Sequence, residues 1–333
     1  MFAKRIGFDM GTDSIKVCAD FSDSVRRIPS VAAVDTADGR LRGYGESEVA
    51  GRTPSSFRLV RFMRDGAVHD FALAGEVVGD ITDRLLGQRV LRPVLVSCVC
   101  VGSTELERKT LLDILQSAGA ARAYLIYAPV ASAIGVYGVA AGPEGRAVLD
   151  VGAGAADCAV ISMNGIASRR AVPVAGNAMT RAIMEYLETS RDVFIGESEA
   201  ERLKKELSSA IPREAELAFV SGGKKLNGEA VNFELTSTEV YRTLRGCFAE
   251  IGKLVVAVLD DTPPELVSDI RNNGILLTGG CAAIPGLDVY LSKTLGVPVT
   301  VPPEPALCAV NGIKKILPRL KELAQAGVLI GRD

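Results

Sequence analysis

The chain has 333 residues, 48% of them hydrophobic and 23% charged, which is enough apolar material for one large core or two domain-sized ones and excludes intrinsic disorder. Lysine and arginine total 38 against 40 acidic residues, a net charge of -2 that gives no global attraction for nucleic acid. With a single histidine, His69, and no tryptophan, histidine triads and His-rich metal sites have almost nothing to work with, so any catalysis must use carboxylates, main-chain amides and a bound metal.

Seven cysteines with no CxxC pair read as reduced thiols used as small hydrophobes. No stretch reaches the roughly 18 apolar residues that a spanning helix needs, and the first residues alternate like a strand, so the chain is expected in the cytoplasm. In chain order, Ile6 and Phe8 alternate with small or polar neighbours up to Asp9, Gly11-Thr12-Asp13-Ser14 breaks the run, and Ile15, Val17 and Ala19 resume it. That pattern predicts a strand, a tight turn and a second strand. Val94 to Val101 predicts another strand, followed by a Thr104/Glu107 capping box and a helix through Leu111, Leu112 and Leu115 that Gly119 ends.

The hairpin device then recurs. Ala147, Val148 and Leu149 lead to Asp150, Gly152-Ala153-Gly154-Ala155-Ala156-Asp157 turns, and Ala159-Val160-Ile161 returns. In both copies an Asp closes the first strand and a glycine-bearing turn follows, where small residues let main-chain N–H groups approach phosphate oxygens. Asp9 and Asp150 in those places can hold a hydrated Mg2+ through its waters. One such turn is ordinarily only a turn; two matched copies point to a shared ligand. Further along, Phe219 to Phe233, with Gly222-Gly223-Lys224-Lys225 and Asn227-Gly228, predicts a hairpin. Ile275 to Thr278 predicts a strand, Gly279-Gly280-Cys281-Ala282-Ala283 the opening of a helix carrying Leu287, Tyr290, Leu291 and Leu295, and Gly296 its stop. A glycine pair at a helix start permits close approach to a nucleotide. Leu317, Leu320 and Leu323 predict a packed terminal helix over Ile316 to Ala326. The whole reads as a duplicated α/β unit with a cleft between its halves, 1–145 and 146–315, and a tail 316–333 packing back on the first half.

Two Asp-Gly hairpins and a late strand-Gly-Gly-helix, in that order, are the three nucleotide-binding signatures of the actin, sugar kinase and heat-shock chaperone superfamily, and the chain resembles that fold. Within it, Ile6-Gly7-Phe8-Asp9-Met10-Gly11-Thr12, Met63-Arg64-Asp65-Gly66, Thr104-Glu105-Leu106-Glu107-Arg108, Ile195-Gly196-Glu197, Thr262-Pro263-Pro264-Glu265-Leu266 and Leu276-Leu277-Thr278-Gly279-Gly280 are similar to the MreB/Mbl family of bacterial actin-like cell shape-determining proteins. The resemblance implies an α/β actin-like ATPase fold of duplicated ribonuclease H-like domains, U-shaped, with insertions at about 33–65 and about 180–240 and with ATP and Mg2+ in the cleft. Members stack head to tail into filaments, peripheral at the inner face of the cytoplasmic membrane, and help organise cell-wall synthesis.

Carried over by motif, Asp9, Gly11, Thr12, Asp13 and Ser14 form the first phosphate loop, and Gly152, Ala153, Gly154 and Ala155 the second. Gly176 and Asn177 match a glycine-rich turn before a large helix. Glu201 and Lys204 match the helix beside ribose and adenine, and Gly279, Gly280, Cys281 and Ala282 the adenosine loop. Lys16 stands where actin has a phosphate-contacting lysine and this family usually has an apolar residue; it reads either as a phosphate ligand or as an ordinary strand-exposed lysine. The family's Glu-Glu-Pro is replaced by Tyr127-Ala128-Pro129, and two Thr of the second loop by Ala155 and Ala156. Groups that position or activate the attacking water supply about 100- to 10,000-fold of rate, so the chain is expected to be a weak ATPase at most, with Asp150 and Asp157 as the remaining candidate carboxylates. Val90 and Leu91, between Arg89 and Arg92, form a candidate membrane tip worth about 3 to 5 kcal/mol at most. The alternatives are a non-polymerising, ATP-dependent scaffold or chaperone-like switch of the same fold, and a small-molecule kinase.

Overall fold

In the computed structural model, which describes residues 3–45, 56–87, 91–139, 142–163 and 165–332, the two Asp-bearing hairpins lie inside sheets of the same plan. The first sheet runs in the order Ile330–Arg332, Arg122–Tyr127, Val94–Val99, Arg5–Met10, Ser14–Ala19, Ser22–Pro29. The second runs Val299–Thr300, Ile275–Thr278, Arg146–Val151, Ala156–Ser162, Gly165–Val172. In both, the hairpin strands pair antiparallel, and the next strand joins the first hairpin strand in parallel. Val94–Val99 and Ile275–Thr278 are near-continuous apolar runs because a central parallel strand is covered on both faces.

Three apolar layers follow. One face of the first sheet packs on the helices Phe71–Leu86 and Glu105–Ser117, through Val77, Ile81, Leu111 and Leu115 against Ile6, Phe8 and Leu95. One face of the second packs on Gly176–Arg191 and Ser237–Asp260, through Met179, Ile183, Leu244 and Phe248. The remaining faces of both sheets share a middle layer, in which Val96 and Ile126 of the first and Val148 and Leu276 of the second enclose the helices Ala128–Tyr137 and Cys308–Ile316. Both halves are therefore joined through one buried layer.

A small sheet of Val31–Asp35, Leu41–Tyr44 and Phe57–Arg61 falls in the region of the insertion expected at about 33–65, and begins slightly before it. Another, of Val193–Phe194, Leu217–Lys224 and Ala230–Thr236, falls in the one expected at about 180–240 and contains the predicted hairpin. The Thr104/Glu107 capping box is present, with both reciprocal bonds.

Some expectations need correction. The strand from Val94 stops at Val99, two residues early. The glycine pair opens a 3-10 turn, Gly280–Ala283, and the helix starts only at Leu287, because Pro285-Gly286 intervenes with Gly286 left-handed. The tail is a 3-10 turn, Leu317–Arg319, then a helix Leu320–Gln325 with Leu320 and Leu323 buried in the middle layer, then an unexpected strand, Ile330–Arg332, that pairs antiparallel with Arg122–Tyr127. At the candidate membrane tip, Val90 lies outside the described residues and Leu91 is exposed. Arg92 donates to the carbonyls of Gly119 and Ala120 at 3.3 and 2.9 Å, which ties that flank to a helix end. No helix among the described residues is long and apolar enough to cross a membrane.

Candidate functional site

A cavity of about 1020 Å3 lies between the two hairpin turns, at the upper end of the roughly 300–1,000 Å3 usual for small-molecule sites. Cross-strand register fixes what each hairpin presents to it. Asp9 faces Lys16 across the first, and Asp150 faces Asp157 across the second. Directly opposed residues project to one face of a sheet, so each hairpin presents a pair.

In the first pair, Lys16 Nζ lies 2.7 Å from Asp9 Oδ2 with both side chains largely covered, so the strand-exposed reading of Lys16 is excluded. Burial acts to lower the Lys16 pKa, but the adjacent Asp9 carboxylate outweighs it and the net shift is upward. Across the cavity, Asp150 Oδ2 accepts from Thr278 Oγ1 at 2.8 Å and Ser132 Oγ at 3.1 Å. Loss of hydration raises the Asp150 pKa; the Thr278 bond opposes the rise and the charge of Asp9 adds to it. Asp157 is 6% exposed and its Oδ1 accepts from Cys100 Sγ at 2.7 Å. Burial pushes this carboxyl up to about 7 in spite of that bond.

The two turns touch the same piece of chain. Thr12 Oγ1 accepts the Gly66 N–H at 2.9 Å, and a Cβ on Gly154 would lie 2.5 Å from Gly66 N and 2.9 Å from Asp65 Cα. Only glycine at 154 lets the second turn close against the first half. Asp13 and Ser14 line the cavity but are held by Arg27, at 2.7 Å to Asp13 Oδ2 and 3.0 Å to Ser14 Oγ. Behind the second turn, the N–H groups of Gly176 and Asn177 donate to the carbonyls of Gly152 and Ala153 at 3.1 and 2.7 Å, so this helix start braces the turn.

Glu201 and Lys204 share one face of the helix Glu197–Leu207, 2.6 Å apart. Lys204 Nζ also donates to Gly176 O at 2.9 Å and Thr180 Oγ1 at 3.0 Å, and Thr180 Oγ1 donates to Glu201 Oε2 at 2.8 Å. Burial acts to raise the Glu201 pKa, yet the Lys204 hydrogen bond and charge hold it below the ordinary value. Replacing Lys204 by methionine removes the buried ammonium shared by Gly176 O, Thr180 Oγ1 and Glu201, and leaves Thr180 and Lys205 as the remaining partners. We expect a loss of about 2 kcal/mol in urea unfolding, and a change under about 0.5 kcal/mol would contradict this wiring.

Gly279 has φ +86, and a Cβ there would sit 2.8 Å from Asp150 Oδ1, so only glycine lets this loop meet the second hairpin. Gly280 and Cys281 line the cavity, and Cys281 Sγ donates to Gly152 O at 3.2 Å. Ala282 does not line it; its methyl is buried in the second-half core, because successive residues of a tight 3-10 turn cannot all face one side. At the missing Glu-Glu-Pro, Ala128 is the residue on the cavity wall, whereas the Tyr127 ring lies 4.5 Å beneath the Arg169 guanidinium. Gly11, Gly152, Ala153, Ala155, Gly176 and Asn177 all reach the cavity as expected. Sequence reasoning missed Arg61, Asp65, Gly66, Cys100, Glu197 and Lys205, which also line it. For Asp65-Gly66 and Glu197 a signal existed in the family-like motifs; for Cys100 and Arg61 there was none.

The donor set suits a hydrated divalent cation. Asp9 and Asp150 line the cavity from matched strands of the two sheets, Asp150 is a desolvated carboxyl whose pKa the charge of Asp9 raises further, and no group of three ligating side chains occurs among the described residues. Mg2+ keeps several waters and needs few direct protein ligands, so these two carboxylates would hold such an ion through its water shell.

Duplicated mixed sheets around a cleft lined by paired hairpin turns define an actin-like α/β fold. Over residues 3–325 the chain matches the model of the MreB/Mbl protein family. It is 34% identical over 327 residues, covering 95% of this chain and 94% of the relative, to the cell shape-determining protein MreB of Escherichia coli strain K12. To the cell shape-determining protein Mbl of Bacillus subtilis strain 168 it is 31% identical over 328 residues, 97% and 98% of the two chains. Among solved structures it is similar to MreB5 of Spiroplasma citri bound to ADP, with a TM-score of 0.89 and 26% identity over 97% of this chain and 98% of that one. The fold, though at 18% identity only the fold, is shared with the MamK double helical filament at a TM-score of 0.80, over 96% and 99% of the chains. The chain belongs to the MreB/Mbl family of actin-like cytoskeletal proteins.

Proposed function

We propose that this chain binds ATP with Mg2+ in the cavity, hydrolyses it slowly, and assembles head to tail into filaments that help determine cell shape. The observation that carries the reading is the convergence of two matched hairpin turns, one from each half, on one cavity that also receives Glu201 and Lys204. The Spiroplasma citri relative, solved with ADP and with AMPPNP, supports adenine nucleotide as the ligand. The two small sheets then form the tips of a four-subdomain molecule, and filaments at the inner face of the cytoplasmic membrane would organise wall synthesis from the cytoplasmic side. Calorimetry with ATP and Mg2+, followed by sedimentation and electron microscopy with and without nucleotide, tests the reading. Absence of nucleotide uptake sinks it entirely.

Slow turnover follows from the methyl groups at Ala128 and Ala155 on the cavity wall, which cannot orient water; Ala156, expected beside them, is instead buried in the second-half core, because successive strand residues face opposite ways. The combined variant Ala128→Glu, Ala155→Thr is expected to release phosphate about a hundredfold faster than the parent. A parent already turning over at that rate contradicts the argument. The same methyl groups favour a second reading, a non-polymerising ATP-dependent switch. Polymer that pellets with nucleotide eliminates it.

A further inference from the structure

Eight carboxylates line the cavity, and seven of them meet a lysine, an arginine or a hydroxyl group. Asp9, Asp13, Asp65, Glu197 and Glu201 each lie within 4.0 Å of a lysine or arginine nitrogen. Glu107 accepts the Thr104 main-chain N–H at 2.7 Å, and Asp150 takes the hydroxyls of Thr278 and Ser132. Asp157 has, among the described residues, neither a cation nor a hydroxyl. Its partners are the Cys100 thiol at 2.7 Å and the Val101 main-chain N–H. A carboxylate offers about four acceptor positions, so two stay open. The small residues Ala155, Ala171 and Gly102 line the cavity with it, and Ala171 stands directly opposite Asp157 across the strand pair. Cys100 belongs to the first half and Asp157 to the second, so their bond crosses the cleft and fixes the carboxyl from the opposite side.

We propose that Asp157 accepts a hydrogen bond from the water that attacks the terminal phosphate, in place of the carboxylate missing at Ala128, and that Cys100 is the positioning residue that aims it. This inference rests on the nucleotide reading above. In the step, the water oxygen bonds to the terminal phosphorus while the bond to the bridging oxygen breaks and leaves its electron pair on the diphosphate. One water proton ends on inorganic phosphate and the other passes to solvent. Asp157 sets the direction of attack without entering a covalent bond.

The test uses the full chain with ATP and Mg2+, and separates affinity, measured by calorimetry with AMPPNP, from single-turnover phosphate release. Asp157→Asn is expected to slow release about a hundredfold while AMPPNP affinity stays within about twofold. Asp157→Glu is expected to recover part of the rate. Cys100→Ala should slow release about fivefold, and Cys100→Ser, whose hydroxyl can still donate, should not. An Asp157→Asn variant as fast as the parent at equal affinity overturns the assignment, as does a parent that binds AMPPNP but releases no phosphate above solvent background. Equal slowing by Cys100→Ala and Cys100→Ser overturns the role of Cys100. If AMPPNP does not bind at all, the nucleotide reading fails and this inference with it.

Discussion

Replacing Gly312 with alanine is expected to destabilise the protein by about 3 kcal/mol or more and lower its melting temperature by about 5 to 10 °C. The helices Ala128–Tyr137 and Cys308–Ile316 cross in the layer between the sheets with main chain against main chain. A Cβ on Gly312 would overlap the Ala131 carbonyl oxygen and lie 3.0 Å from Gly135 N, and one on Gly135 would overlap the Cys308 carbonyl oxygen. Backbone cannot rotate away as a side-chain tip can, so the helices must separate and open the layer. Gly246, exposed in the helix Ser237–Asp260 with nothing within 4 Å of its Cβ position, is the control. Alanine there should stabilise by about 0.4 to 1 kcal/mol through the unfolded chain. A Gly312→Ala protein that melts with the parent removes the crossing as the joint of the two halves.

The second large effect concerns pH. The Asp157 carboxyl is raised from an ordinary 3.8 to about 7, chiefly by burial. At 1.36 kcal/mol for each tenfold, that difference corresponds to about 4 kcal/mol. The sign is that of a raised acid: its contribution is fully present below about pH 4 and is lost as pH rises through about 7, where the folded protein must hold a buried charge. Asp157→Asn keeps an acceptor for Cys100 without the charge. In the nucleotide-free protein it should therefore gain up to about 4 kcal/mol over the parent in urea unfolding at pH 8, and little at pH 4. Equal gains at both pH values would show packing, with no part for ionisation.

Both hairpins, the capping box and the family could be read from the residues because their signals are local: an Asp at a strand end, glycines in the next few positions, a Thr three before a Glu. What the sequence did not reveal depends on distant partners. Cys100 and Asp157 are 57 residues apart, and nothing near either announces their bond. Thr12 belongs by motif to the first phosphate loop, and nothing near it announces that its hydroxyl accepts the Gly66 N–H, 54 residues away. The terminal strand Ile330–Arg332 is too short to show a period, and exists because the edge of Arg122–Tyr127 needs a partner. Ala282 was placed in the cavity by counting along a motif, which says nothing of where each turn residue points.

A duplicated scaffold has a near twofold relation between its halves, and a string of phosphates lying along that axis could in principle thread either way round. Equivalent positions of the two hairpins hold Lys16 on one wall and Asp157 on the other. An ammonium paired with Asp9 on one wall and an acid without a cation on the other make the two matched places unlike, so the degeneracy is broken. On the nucleotide reading proposed above, the base end would emerge on the side of Lys204, which would give each molecule a fixed sense of direction before it meets another copy.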